Sequence, residues 1–162
     1  MVDEAMFTRE VEALLPVMYR VSMNILHREG DAQDAMQQAL TKAWEKRAGV
    51  RPDYFRPWLM RIAVNECHNI HRHRRRVTPV AWAGQWQGVD PPSVEAAVDI
   101  QNALHRLPEK VRIPFLLKYL AEYTEAEVAA ILKIPKTTVK NRLHKARQEL
   151  RSYLSDWEVM FK

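Results

Sequence analysis

The 162-residue sequence predicts an all-α protein made of two small helical domains joined by a flexible linker. Three observations predict it. Apolar residues recur at three- and four-residue spacing through nearly every segment, which is the helical period and not the alternation of strands. Only four glycines occur in the whole chain. One stretch, residues 77–92 (VTPVAWAGQWQGVDPP), breaks every period, with three Pro, two Gly and no sustained stripe. The expected divisions are a first domain over 1–76, a linker over 77–92, a second domain over 93–155 and a tail over 156–162. Extended, such a linker reaches on the order of 50 Å, so the flanking halves need not touch.

The first helical segment runs from about Glu4 to His27, with Phe7, Val11, Leu14, Leu15, Met18, Val21, Ile25 and Leu26 as its stripe. Pro16 lies inside this pattern and is expected to kink or divide it. Gly30 is a natural C-terminal cap, and Asp31 then caps a second helix to about Arg47. Ala32, Ala35, Met36, Ala39, Leu40 and Ala43 form its apolar side. Asp34, Gln37, Gln38, Thr41 and Glu45 form a polar, partly acidic side. Residues 48–54 read as a loop from their Gly and Pro.

A third helix starts near Phe55–Trp58 and continues into HRHRRR. Leu59, Ile62, Ala63, Cys67 and Ile70 face one way, and Arg61, Asn65, His68, Arg72, Arg75 and Arg76 the other. Glu66 falls near the apolar side. Trp44 and Trp58 are read as core residues, while Trp82 and Trp86 of the linker are candidates for docking on a partner. Beyond the linker, Ser93 caps a helix through Val94, Ala97, Val98, Ile100, Ala103, Leu104 and Leu107. Pro108-Glu109 starts another, through Val111, Phe115, Leu116 and Leu120, with Pro114 expected to disturb it. Trp157 and Phe161 of the tail are placed to fold back on the domain.

Composition excludes several classes. No apolar run has membrane-spanning length, and the start does not resemble a signal peptide. The single cysteine, Cys67, rules out an internal disulfide framework and suits a reducing cytoplasm. The net charge of +5 is unevenly spread. Residues 61–76 carry five Arg against Glu66, and residues 133–151 carry seven Lys/Arg against Glu149, so the remainder is acidic. Two basic segments in an otherwise acidic chain point to two polyanion contacts. A membrane surface would attract them too, but neither has the bulky apolar face of an interfacial helix.

Residues 123–151, YTEAEVAAILKIPKTTVKNRLHKARQELR, are the most informative. Thr124 and Glu127 have capping-box spacing. Pro135 suits a helix start, because it has no N–H to lose there. The helix that follows buries Val139, Leu143, Ala146 and Leu150. Thr137, Lys140, Asn141, His144, Gln148 and Arg151 fall on its opposite, basic and amide-bearing face. A short helix, a tight break and such a helix match a helix-turn-helix, whose second helix enters the major groove. The alternative is an ordinary helical hairpin with a solvated face.

Four segments in this order resemble the extracytoplasmic-function (ECF) class of bacterial σ70-family sigma factors: DAQDAMQQALTKAW, WLMRIAVNECHNIHRHRRR, ALHRLPEKVRIPFLLKYL and YTEAEVAAILKIPKTTVKNRLHKAR. The resemblance implies a region 2 domain, a linker and a region 4 domain. It further implies a protein with no chemistry of its own. Such a protein holds the RNA polymerase core through the largest subunit and flap region, and directs initiation at a promoter with −10 and −35 elements. By resemblance, Asp34, Gln37, Gln38, Thr41 and Glu45 dock on a coiled coil of the largest subunit. Arg61, Asn65, His68, Arg72, Arg74, Arg75 and Arg76 serve the −10 element. There the arginines hold phosphates, and Asn65 has both donor and acceptor for an unstacked base. The loop at 48–54 corresponds to the family's base-capturing loop. For the −35 element, Thr137, Lys140, Asn141 and His144 are the base-reading candidates, with Thr138 beside them. Lys136, Arg142, Lys145 and Arg147 grip phosphates, though Arg147 could equally pair with a carboxylate. The family also implies an anti-sigma partner that occludes both domains, and no cofactor or metal.

Departures from the family pattern fall at Gln33 and Gln38, where acidic residues are usual. They fall also at Lys133, where the turn often has Gly, and at Thr137, where a small Gly or Ser is usual. A non-Gly residue with positive φ is costly, so either the turn differs or Lys133 is strained. Two rivals remain. A helix-turn-helix regulator acting without core polymerase explains 124–151 but not 31–76. A metalloprotein would use Cys67, His68, His71 and His73, but these point in different directions around their helix.

Overall fold

A computed structural model describes residues 1–77 and 95–153, with side chains for 1–74 and 100–153. The linker, its Trp82 and Trp86, the Ser93 cap, Val94, and the tail with Trp157 and Phe161 lie outside the described residues. So do the side chains of Arg75, Arg76, Ala97 and Val98. The chain divides into two compact units, Met1–Gly88 and Val89–Lys162. The described residues form seven α-helices and two short 3-10 turns, with no strand among them. The all-α expectation holds.

In the first unit, α1 spans Glu4–Leu26, α2 Glu29–Lys46 and α3 Phe55–Val77. Asp3 caps α1, its Oδ1 accepting the Met6 N–H at 2.8 Å. The helix runs unbroken through Pro16. Pro16 and Glu12, whose carbonyl it leaves without a helical donor, both lie on the exposed side, where water can take that carbonyl.

The boundary between α1 and α2 corrects two expectations. His27, not Gly30, ends α1: it takes the left-handed conformation (φ 63°) and donates its N–H to the Met23 carbonyl at 2.8 Å. The second helix therefore begins at Glu29, which puts Gly30 and Asp31 inside its first turn. Asp31 is no cap; it is buried and turned toward α3. The expected loop at 48–54 is largely two 3-10 turns, Arg47–Gly49 and Pro52–Tyr54.

The bundle closes on the small side of α2. Ala32, Ala35, Ala39 and Ala43 are all fully buried, and methyl-sized side chains let neighbouring helices approach closely. Against them pack Met18, Val21, Ile25 and Leu26 of α1 and Phe55, Leu59, Met60, Ala63, Val64 and Cys67 of α3. Each large side chain among these contributes about 1.5–3 kcal/mol by burial.

In the second unit, α4 spans Glu95–Arg106, α5 Glu109–Tyr119, α6 Glu125–Leu132 and α7 Lys136–Tyr153. The expected one-sided stripe of α5 is wrong in extent. Seven consecutive residues, Val111–Leu117, are buried, including Arg112 and Pro114. A helix apolar nearly all round is one surrounded by others, and α5 is packed against α6 and α7. Pro114 does not interrupt it. Buried Arg112 is held by the end of α4: its Nη1 donates to the Leu107 carbonyl at 3.0 Å and the His105 carbonyl at 3.3 Å, while its Nε has no partner among the described residues. These are carbonyls that a helix end leaves without intrahelical partners.

Candidate nucleic-acid interface

The second unit presents α7 through a locally encoded turn. Thr124 Oγ1 accepts the Glu127 N–H at 3.1 Å, and Glu127 Oε1 accepts the Thr124 N–H at 3.0 Å. This is the capping box the spacing predicts. At the other end of α6, Lys133 adopts the left-handed conformation, φ 55°. The turn is thus kept and the strain sits on a lysine. The Ile134 N–H closes it on the Ala129 carbonyl at 3.1 Å. Pro135 stands just ahead of α7, its carbonyl accepting the Val139 N–H at 3.1 Å.

Val139, Leu143, Ala146 and Leu150 are buried at 0% exposure, which fixes the rotation of α7 as the sequence predicts. Lys136, Thr137, Lys140, Asn141, His144 and Lys145 are exposed, and Thr138, Arg142 and Arg147 are half-buried. Among the described residues Arg147 pairs with a neutral hydroxyl rather than a carboxylate. Its Nη1 donates to the Tyr119 hydroxyl at 2.9 Å.

In the first unit, Arg61, Asn65, His68 and Arg72 are spaced four, three and four apart on α3 and share one face. Asn65 and Arg72 are exposed, while Arg61 and His68 are half-buried. Arg72 donates to Asn69 Oδ1 on the same face, so Asn69 belongs to this surface although the sequence reading passed over it. Its signal was the four-residue step from Asn65. Arg74 is different: its Nη2 pairs with buried Asp31 of α2. Glu66, unexplained from sequence, pairs with Lys42 of α2.

The outward side of α2 carries Asp34, Gln37, Gln38, Thr41 and Glu45, all exposed. A groove of about 630 Å³ runs beside it, lined by Asp34, Gln37 and Gln38 together with Asn69, Ile70 and His73 of α3. Trp44 is not a core residue. It is 38% exposed, its ring edge-on to Phe7 at 5.1 Å and covered by the Arg47 guanidinium at 3.5 Å. That cation–π contact shields one face while leaving the ring at the surface. Trp58 is half-buried against Phe55. Cys67 and His71 are buried, and among the described residues no three His, Cys, Asp or Glu side chains are grouped to hold a metal ion. Among the same residues no helix is long and apolar enough to cross a membrane.

Comparison with known proteins decides between the readings. The sequence profile described as Sigma-70 region 2 matches residues 11–77, and that of Sigma-70 region 4 matches residues 97–150. The ECF RNA polymerase sigma factor SigL of Mycobacterium tuberculosis is 30% identical over 88% of this chain and 85% of its own length. The chain belongs to the ECF sigma factors, transcription initiation factors of the sigma-70 family. SigW of Bacillus subtilis is 28% identical over 95% of this chain and 91% of its own length. SigE of Mycolicibacterium smegmatis is 28% identical over 85% of this chain, but the match spans only 57% of that longer protein. Among solved structures, the sigma factor RpoE of Bartonella quintana, in complex with the anti-sigma factor NepR, matches with a TM-score of 0.78 at 24% identity. That match covers 91% of this chain and 95% of that one. The region 2 match accounts for residues 31–76, which the rival of a regulator acting without core polymerase left unexplained.

Proposed function

We propose that this sigma factor binds core RNA polymerase through α2, opens and reads the −10 element with α3, and reads the −35 element with α7. The proposed divisions are region 2 over 1–76, a linker over 77–92 and region 4 over 93–155. The observation that carries the reading is the pair of outward helix faces. Exposed Lys136, Thr137, Lys140, Asn141 and His144 lie over a fully buried seam in one unit, and Arg61, Asn65, His68 and Arg72 align in the other. Cationic side chains supply salt-dependent grip on phosphates, and amide side chains supply paired donors and acceptors for base edges.

Within that reading, Asp34, Gln37, Gln38, Thr41 and Glu45 meet the largest subunit of the polymerase, and region 4 meets the flap. The protein works in the cytoplasm and performs no bond chemistry. In one similar structure the sigma factor RpoE is in complex with the anti-sigma factor NepR, and in another CnrH is in complex with the cytosolic domain of CnrY. An anti-sigma partner is proposed here on that basis. Competition for purified core enzyme tests the α2 assignment. A chain carrying Gln37→Ala and Gln38→Ala should lose core affinity while its DNA binding is unchanged. Wild-type affinity for core would reject the assignment.

A further inference from the structure

We infer that Tyr119 is a positioning residue for DNA binding. It orients Arg147 toward a backbone phosphate without cancelling its charge. The inference rests on the reading of α7 as the −35 helix and extends that interface to a residue outside the helix-turn-helix.

Tyr119 ends α5 and is 40% exposed, unusual for a large side chain with an apolar ring. Its ring is not loose. It lies 4.6 Å, centroid to centroid, from that of Phe115, which is buried. One turn of helix and a tilted ring contact with a core residue fix where the hydroxyl sits. That hydroxyl accepts a hydrogen bond from Arg147 Nη1 at 2.9 Å. Arg147 borders the exposed face of α7 on the side that carries Lys140, seven residues earlier.

The chemistry of the partner matters. A guanidinium has five N–H donors in a rigid fork. A carboxylate would occupy two of them and neutralise the charge. A neutral hydroxyl takes one, holds the plane in place, and leaves the full positive charge and the remaining fork for a phosphate oxygen. Pre-setting the side chain also reduces the rotamer entropy lost on binding. The pair is suited to a phosphate contact and poorly suited to a purely structural ion pair.

The probe is a short duplex enriched from a random-sequence library by the full wild-type chain, with binding measured across a salt series. Tyr119→Phe removes the hydroxyl and keeps the ring contact; affinity should fall about three- to tenfold, as for loss of one such hydrogen bond, with the salt slope unchanged. Tyr119→Glu should pair with Arg147 and lower the slope by about 0.9, the loss of one phosphate contact. In an Arg147→Ala background Tyr119→Phe should have no further effect. A fold defect would alter the melting temperature, and would not remove one charge from the slope. Wild-type affinity and slope in both Tyr119 variants overturn the assignment. Lys140→Ala with Asn141→Ala separates the two claims. If that chain loses the duplex while the Tyr119 variants do not, only the Tyr119 assignment is wrong. If it binds as wild type, the reading of α7 fails and the assignment with it.

Discussion

Lys42 of α2 and Glu66 of α3 form an ion pair that holds the Glu66 side chain at 8% exposure between the two helices, while Lys42 remains 42% exposed. The two members are therefore not equivalent. Removing the lysine strands a buried carboxylate, whereas removing the carboxylate leaves a lysine that can reach water. Lys42→Ala should destabilise the first unit by on the order of 2–4 kcal/mol, and Glu66→Met by clearly less. Urea unfolding of the full chain, followed by circular dichroism, checks the order of the two variants.

The ion pair between Arg74 and Asp31 gives a second contrast. Side-chain exposure is 31% for Arg74 and 6% for Asp31, so Arg74→Ala should cost about 2–3 kcal/mol of stability by leaving the aspartate buried alone. Arg72→Ala, on the exposed face, should leave stability within about 0.5 kcal/mol. It should weaken duplex binding and shallow its salt dependence. Parallel melting and binding measurements on the two variants distinguish an arginine that holds α2 to α3 from one that meets DNA.

His105 supplies a pH dependence. Burial, with the Arg112 charge beside it, holds its pKa at about 4, below the ordinary 6.5. The unfolded chain therefore binds the proton more readily than the folded one between those values. Stability from this group is complete above about pH 6.5 and is lost as pH falls toward 4. Partial exposure limits the effect to on the order of 1–2 kcal/mol. Wild type should lose that much more stability than His105→Gln between about pH 7 and pH 4.5, measured by chemical denaturation at each pH.

Lys133 carries the strain of the turn between α6 and α7. Its φ of 55° is one a glycine adopts without cost. Lys133→Gly should stabilise the second unit by about 1 kcal/mol, read as a raised melting temperature. Lys133 is exposed and lies outside the α7 face, so binding to the enriched duplex should change little.

These residues also show which parts of the structure local sequence can convey. The α7 rotation was legible because Val139, Leu143, Ala146 and Leu150 repeat at helical spacing and all four are buried. The capping box was legible because Thr124 and Glu127 are three residues apart. The partners of Glu66 and Arg74 were not, because they lie 24 and 43 residues away in the chain. Asp31 before an alanine-rich stripe has the local signature of a cap; only packing of α2 against α3 turns it inward. The burial of α5 on all sides was likewise invisible, since a stripe shows which face is apolar but not how many neighbours surround the helix. Arg147 illustrates the limit at the site itself. A basic residue on the helix proposed to face DNA was readable, but its anchoring by Tyr119, from another helix, was not.

The proposed division of labour between the two faces yields one more expectation. Asn65→Ala should slow strand opening, read by permanganate reactivity of unpaired thymines around the −10 element, while upstream binding through α7 is unaffected. Equal loss of both would show that α3 and α7 do not act separately.

Run-off transcription with purified core RNA polymerase tests the central claim most directly. The template carries the promoter of the operon that encodes this chain, together with duplexes enriched by binding. Core alone should give no specific transcript, and core with this protein should give one discrete product that is lost when either the −10 or the −35 element is scrambled. No promoter-specific product from any of these templates, despite stable binding to core, would contradict the account.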